Sequence, residues 1–282
     1  MAAARPRTLP AAVVPVMVGL AIALRSGPLD LATAAATLTA ALLIQIGTNL
    51  ANDYYDYVKG ADDSSRLGPL RVSQAGLITP ATVKRAAFTV LGFAGIVGLY
   101  LVSIGGWPIL LVGVLSLLSA IAYTAGPWPL AYHGLGEVFV FLFFGVVAVN
   151  GTAYLQTGGV TPLSLVASIP VACLATAILV VNNLRDIPTD ARAGKRTLAV
   201  RLGDSATRSL YLGLVGGAFV ILPALAWTGN RTALVTLAAL PFALAEARAL
   251  RARSGAALNL SLAGTARLHL IYGFLLSLGL TL

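Results

Sequence analysis

The stretch NLANDYYDYVKGADD, from Asn49 to Asp63, interrupts a strongly apolar chain. Within fifteen positions it holds four of the ten carboxylates of the 282-residue protein, together with two asparagines and a lysine. The whole chain is 58% hydrophobic and only 10% charged, whereas soluble domains are about 45–50% apolar and about 25% charged. This composition predicts an all-α, multi-pass membrane protein in which a concentrated polar stretch requires a functional explanation.

Apolar runs long enough to cross a bilayer recur along the chain and predict nine membrane spans. These are Leu9–Leu24, Leu31–Ala51, Ala86–Ile104, Ile109–Ala125, Leu135–Leu155, Leu163–Val181, Leu210–Trp227, Thr232–Ala249 and Leu268–Leu282. The single cysteine, Cys173, lies in an apolar run, so the chain cannot form an internal disulfide.

The distribution of positive charge predicts the orientation of these spans. If the N-terminus is cytoplasmic, 17 of the 19 Lys and Arg residues fall in cytoplasmic segments, and only Arg25 and Arg231 fall on the other side. Such a bias is typical of the cytoplasmic loops of membrane proteins. We therefore expect a multi-pass protein of the cell membrane with a cytoplasmic N-terminus. The net charge of +9 is explained by this topology and does not indicate nucleic-acid binding.

Two long cytoplasmic loops, predicted over residues 52–85 and 182–208, carry most of the acidic residues. In the first cluster, Asn49, Asp53 and Asp56 are spaced i, i+4, i+7 and share a helix face if the second span continues to Tyr57. The second cluster, NNLRDIPTDARAGKRT, runs from Asn182 to Thr197. Asn182, Asp186 and Asp190 are spaced i, i+4, i+8 there, but Pro188 leaves open whether the helix reaches Asp190.

Carboxylates that lie close together near a membrane repel each other and are costly to desolvate, and a divalent cation relieves both costs. Mg²⁺ prefers oxygen ligands and is typically held by one or two carboxylates together with substrate phosphates. Basic residues are interleaved with these acids, which suits a diphosphate, and the apolar bundle suits a hydrocarbon tail. The alternative for either cluster alone is a set of solvated or helix-capping aspartates. Two clusters on one membrane face favour a site.

These motifs carry a family resemblance. NDYYD followed by Asp62, and NLRDIPTD, resemble the two aspartate-rich motifs of the UbiA superfamily of intramembrane prenyltransferases. The segments GPLR (Gly68–Arg71), AYTAGPWPLAYHGLGEVFVFLFFG (Ala122–Gly145) and DARAGKRTLAVRLG (Asp190–Gly203) look like its 1,4-dihydroxy-2-naphthoate polyprenyltransferase branch, the MenA family.

The resemblance implies one transmembrane domain over residues 1–282, a nine-helix bundle whose central cavity opens to the cytoplasm and laterally to lipid. It implies Mg²⁺-dependent transfer of a polyprenyl chain from polyprenyl diphosphate to 1,4-dihydroxy-2-naphthoate, with decarboxylation, in menaquinone biosynthesis. The metal would be held by Asp53, Asp56, Asp186 and Asp190, with Asp62 or Asp63. Partners of these acids and contacts to the diphosphate would come from Asn49, Asn52, Lys59, Arg66, Arg71, Asn182, Arg185, Lys195 and Arg196.

Two further residues are candidates for the catalytic step. The ring of Tyr123 would stabilise the cation left when the allylic bond ionises, because aromatic faces attract cations. Glu137 would bind the acceptor carboxylate or take a proton, the alternative being a solvated loop residue. Another acceptor such as 4-hydroxybenzoate is the main rival within the superfamily. A transporter with an acidic ion site is disfavoured because it would need carboxylates near mid-bilayer.

Overall fold

The computed structural model describes residues 5, 8–60, 67–68 and 71–282, and this part of the chain contains helices and no strand. Seven helices are long and apolar enough to cross a membrane, and the first helix, with 15 residues, is shorter. We number the helices α1 (Pro10–Leu24), α2 (Leu31–Val58), α3 (Pro80–Ala122), α4 (Gly136–Thr157), α5 (Pro162–Arg192), α6 (Leu198–Trp227), α7 (Arg231–Ala252) and α8 (Gly255–Thr281).

Helix α3 is a hairpin of two arms that meet at Gly106. This residue has φ 68° and ψ −154°, a conformation that glycine adopts without the penalty a side chain would incur. A straight helix of 43 residues would be about 65 Å long, twice the roughly 30 Å of a bilayer core. A Cβ built on Gly95 would lie 3.9 Å from Leu117 Cδ1, so the arms pack against each other. They correspond to the predicted spans Ala86–Ile104 and Ile109–Ala125.

The two helices that carry the acidic clusters begin at well-formed caps. Asp30 Oδ1 accepts hydrogen bonds from the amides at the start of α2, including that of Thr33. Thr161 and Ser164 form a capping box at the start of α5. The side chain of Gln156 also bonds both the amide and the carbonyl of Asp30. These caps set where α2 and α5 begin, and hence where their acidic ends lie.

Helix α5 is the centre of the bundle and packs against α1, α4, α6 and α8. It is buried over most of its length, and residues such as Ala167, Val171 and Leu174 are fully enclosed. Helix α3 is peripheral, packs mainly on α2, and exposes large apolar side chains such as Phe93 and Trp107. Exposed apolar faces of this kind suit contact with lipid.

The two polar loops are shorter than the sequence predicts. Helix α2 continues to Val58, α5 continues through Pro188 to Arg192, and α6 already begins at Leu198. Pro188 removes one helical hydrogen bond, but the buried residues on either side of it keep the helix continuous, among them Asp186 and Asp190. Asp190 therefore lies on α5 and not in a flexible loop.

Candidate active site

The end of α2 presents the first acidic cluster on one buried face. Asn49, Asp53 and Asp56 are all at most 5% exposed, as their i, i+4, i+7 spacing predicts. The amide of Asn49 donates to Thr8 Oγ1 at 3.2 Å. The side-chain oxygen of Asn52 accepts a hydrogen bond from Thr124 at 2.9 Å. This face is thus connected both to the segment before α1 and to the segment after α3.

Asp53 holds the backbone of the segment that leads into α3. Its two carboxylate oxygens accept hydrogen bonds from the amides of Val72 and Ser73, each at 3.1 Å. The carboxylate is only 1% exposed. Without Asp53 both amides would be buried without partners, which is costly. Because Arg71 directly precedes Val72, this anchor also fixes the position of Arg71.

Asp56 is the carboxylate on which groups from three other parts of the chain converge. Arg71 Nη2 lies 3.1 Å and Lys195 Nζ lies 3.2 Å from its Oδ2, and the Tyr132 hydroxyl donates to its Oδ1 at 3.1 Å. Arg71 also donates to the Asn52 carbonyl at 2.7 Å. Both cations also line the cavity described below, so they are placed where an anionic ligand could reach them.

Lys195 connects the two acidic clusters. Its ammonium lies 3.9 Å from Asp190 Oδ1 in addition to its contact with Asp56. Burial by itself would lower the pKa of Lys195, but the carboxylates of Asp56 and Asp190 outweigh that effect and raise it. The ring of Tyr132 lies beneath both lysines of the site, 5.4 Å from the Lys195 ammonium and 4.7 Å from that of Lys59. Lys59 also donates to the Thr124 carbonyl at 2.8 Å.

The second cluster is organised by Arg185, which is buried and only 2% exposed. Its guanidinium contacts both oxygens of Asp186, at 2.8 and 2.6 Å. It also donates to Asn182 Oδ1 at 2.9 Å and to Asn259 Oδ1 at 2.8 Å. Asn259 in turn donates to the Leu67 carbonyl at 2.8 Å. Arg185 is therefore a partner of Asp186 and Asn182, and it ties α5 to α8.

A cavity of about 650 Å³ adjoins these clusters. Its polar end is lined by Asn49, Asn52, Asp56, Arg71, Asn182 and Lys195, and its walls by apolar residues of α2, α3, α4 and α5. The lining on α2 extends from Thr37 to Asp56, which is about 28 Å at a rise of about 1.5 Å per residue. The cavity therefore runs the length of a membrane span, with charged groups at one end only.

Tyr123 and Asn183 line the cavity beside its polar end. Asn183 Nδ2 donates to Glu137 Oε1 at 2.9 Å. Glu137 is 6% exposed, and its Oε2 has no hydrogen-bond partner among the described residues. A Cβ on Gly136 would lie 2.8 Å from the Tyr123 hydroxyl, so the phenol packs against the backbone at the start of α4. Glu137 is therefore not a solvated loop residue.

Some of the predicted site residues lie elsewhere. Arg196 is exposed and does not line the cavity, although it is adjacent to Lys195. Asp62, Asp63 and Arg66 lie outside the described residues. Within the described part, no three His, Cys, Asp or Glu side chains are grouped closely enough to hold a metal ion by themselves.

Sequence reasoning missed Asn183, Tyr132 and Asn259. Asn183 could have been suspected because it is next to Asn182 in an apolar run, where a second amide is costly to bury. Tyr132 and Asn259 gave no local signal. They reach the site only because the segment between α3 and α4 and the start of α8 pack against the ends of α2 and α5.

Comparison with known proteins identifies the family. A model of the UbiA prenyltransferase family matches residues 12–271. A 1,4-dihydroxy-2-naphthoate octaprenyltransferase of Mycobacterium tuberculosis is 43% identical over 256 residues, which cover 89% of this chain and 86% of that protein. The enzyme of the same description in Bacillus subtilis is 32% identical over 280 residues, covering 98% and 90%.

The fold has a solved counterpart. The structure of a UbiA homologue from Archaeoglobus fulgidus bound to GPP and Mg²⁺ superposes with a TM-score of 0.68 at 15% sequence identity, covering 97% of this chain and 98% of that one. At 15% sequence identity this match is evidence for the fold alone. The sequence matches cover most of the chain and confirm the resemblance carried by the aspartate-rich motifs. The chain belongs to the UbiA prenyltransferase family.

Proposed function

We propose that this protein transfers a polyprenyl chain from its diphosphate to 1,4-dihydroxy-2-naphthoate, with loss of carbon dioxide, to give a demethylmenaquinol for menaquinone synthesis. The observation that carries the proposal is that residues of both acidic clusters, Asp56, Asn182 and Lys195 among them, line the charged end of a cavity whose walls are mostly apolar. Only a ligand with a compact anionic head and a long hydrocarbon tail matches such a cavity along its full length. The identity of the acceptor rests on the relatives, which are naphthoate prenyltransferases by name.

The donor set at the polar end suits Mg²⁺. Asp56 and Asp190 both lie within 4 Å of the Lys195 ammonium, so the two clusters bring one carboxylate each to the same cation. Asp53 and Asp186 lie about one helical turn before them. They would bind the ion through the oxygen lone pairs that the amides of Val72 and Ser73 and the guanidinium of Arg185 leave free. A site without three protein carboxylates is compatible with this ion, because it is usually held by one or two carboxylates, water and substrate phosphates. When bound, Mg²⁺ neutralises charge on the leaving diphosphate.

The residues of the chain itself favour ionisation of the donor. Lys195 and Arg71 would contact the diphosphate as the allylic C–O bond breaks and the electron pair leaves with the oxygen. This is the point at which fixed positive charge gives the largest stabilisation. The apolar walls exclude water, which would otherwise capture the allylic cation. The face of Tyr123, at the boundary between the charged and apolar parts, would stabilise that cation by about 0.5–2 kcal/mol.

The acceptor would lie against Tyr123, Asn183 and Glu137. Its ring carbon that bears the carboxylate attacks the prenyl carbon, and departing carbon dioxide returns its bonding pair to the ring. Asn183 lines the cavity and its Nδ2 donates to Glu137, so its side-chain carbonyl would be the group that accepts a hydrogen bond from the acceptor. A ring hydroxyl of the naphthoate is the donor that this carbonyl suits.

The same proposal includes nine membrane crossings with the charged end of the cavity in the cytoplasm. The count comprises α1, the two arms of α3, and the six remaining helices. The charge distribution supports the orientation: Arg25, predicted on the outer side, donates to the Leu280 carbonyl at the end of α8, at the opposite end from Asp56. The peripheral position of α3 supports a lateral opening to lipid.

A product assay tests the proposal. Purified protein in lipid receives 1,4-dihydroxy-2-naphthoate or 4-hydroxybenzoate, a polyprenyl diphosphate and Mg²⁺, and products are identified by mass spectrometry. We expect a prenylated, decarboxylated naphthol that is lost with EDTA and in Asp56→Asn and Asp190→Asn. Product with 4-hydroxybenzoate alone would contradict the naphthoate assignment. Folded protein that turns over neither acceptor would contradict prenyl transfer to either of them.

A further inference from the structure

A second cavity lies between α6 and α7, apart from the site described above. It has a volume of about 280 Å³. Its wall on α6 is made by Leu212, Val215, Gly216 and Phe219, whose i, i+3, i+4, i+7 spacing forms one apolar stripe along the helix. Gly216 is exposed, and a Cβ built on it would meet no atom within 4 Å. The cavity is therefore a groove that opens to the outer surface of the bundle.

The wall on α7 changes from apolar to basic along its length. It includes Leu240 and Leu244 and ends in Arg248 and Arg251, again on one helix face. From Leu240 to Arg251 the helix rises about 16 Å, which is about half the roughly 30 Å hydrocarbon core of a bilayer. The groove thus has the depth of a single leaflet, with two guanidinium groups at the end that lies on the same side as the active site.

These two arginines are not neutralised by the protein. Both are exposed, and neither forms a hydrogen bond or ion pair within the described part of the chain. The other arginines nearby are engaged: Arg208 pairs with Asp204 at 2.6 Å, and Arg253 lies 3.6 Å from Glu246. Arg248 and Arg251 are therefore available to an anion at the membrane surface.

We propose that the groove between α6 and α7 binds an anionic phospholipid. One acyl chain lies between the apolar stripes of the two helices, and the headgroup phosphate contacts Arg248 and Arg251. Guanidinium groups suit this role because each one can donate to two oxygens of the same phosphate. Basic pockets between membrane helices are also known to bind acidic lipid headgroups. A zwitterionic lipid places an ammonium beside its phosphate and gains less from two unpaired cations.

The test compares lipid retention by native mass spectrometry and thermal stability in nanodiscs of phosphatidylglycerol or phosphatidylcholine. Three variants are needed. The double variant Arg248→Gln and Arg251→Gln removes the two groove cations, and Gly216→Leu fills the groove but keeps them. Arg85→Gln removes one exposed cation of α3, outside the groove, as a control for surface charge. Each groove arginine should contribute about fivefold to affinity, so the double variant should bind phosphatidylglycerol roughly 25-fold more weakly.

We expect the unmodified protein to retain phosphatidylglycerol in preference to phosphatidylcholine and to melt at a higher temperature in it. Both effects should be lost in the double arginine variant and in Gly216→Leu, and kept in Arg85→Gln. An equal loss in Arg85→Gln would assign the preference to general surface charge and overturn the proposal. Full retention in Gly216→Leu, or no lipid preference in the unmodified protein, would overturn it as well. Prenyl transfer is not a readout here, so the proposed function stands or falls separately.

Discussion

The ammonium of Lys195 lies 3.2 Å from Asp56 Oδ2, although 139 residues separate the two in the chain. The same ammonium is 3.9 Å from Asp190. One side chain between α5 and α6 therefore joins the acidic end of α2 to that of α5. Because Lys195 also lines the cavity, this cation is placed where it would contact an anionic group bound there.

Lys195→Met should lower the rate of prenyl transfer by roughly 100-fold or more, as expected for loss of a group that stabilises developing charge. Arg196→Met should have a smaller effect, because Arg196 is exposed and away from the cavity. Steady-state rates at saturating donor and acceptor would measure the difference. Equal losses in the two variants would show that the position of Lys195 at the cavity gives it no special role in the reaction.

Asn183→Ala should raise the KM for the acceptor and leave the KM for the prenyl diphosphate nearly unchanged. The increase should be roughly tenfold or more, because losing a hydrogen bond in a desolvated site costs about 1–3 kcal/mol. An acceptor whose ring hydroxyls are methylated is the matched probe. The unmodified enzyme should discriminate against it, whereas Asn183→Ala should not. If the variant keeps its discrimination, the hydroxyl does not meet Asn183.

Asp53→Ala should loosen the backbone around Val72 and Ser73, just before α3. The substitution leaves the amides of Val72 and Ser73 without their acceptor, and each unpaired amide costs about 1–3 kcal/mol. Limited proteolysis should cut this segment faster in Asp53→Ala than in Asp56→Asn, which keeps the shape of the neighbouring side chain. Identical cleavage rates would argue against an anchoring role for Asp53.

Gly145→Leu should destabilise the bundle, because a Cβ at this position would overlap Ala172 on α5. Gly151→Ala, on the same helix, is the control, since a Cβ there meets nothing within 4 Å. Overpacking costs typically about 1–3 kcal/mol, so thermal unfolding of Gly145→Leu in detergent should begin at a clearly lower temperature. Equal melting temperatures for both variants would mean that α4 and α5 are not in close contact.

Much of the fold could be predicted because membrane spans are a local property. The transfer free energy of about 20 apolar residues into lipid is enough to define a span, and each of the nine predicted spans is occupied by a helix or a helix arm over most of its length. The last predicted span, Leu268–Leu282, is only the second half of α8, which begins at Gly255. Its first half is interrupted by Arg267 and other polar residues, which lower its hydropathy although their neighbours are buried.

The sequence by itself determined the helical membrane class, the division of charge between the two ends, and the helix faces that carry Asn49, Asp53 and Asp56. All three follow from transfer free energy and from the period of the helix, which act over a few turns. Only the tertiary structure decided the roles within the site: which lysine or arginine enters the cavity, that Asp53 binds amides, and that Asn183 faces Glu137. Those contacts join segments far apart in the chain, and packing around α5 selects them because buried charges and amides are tolerated only where a partner lies opposite.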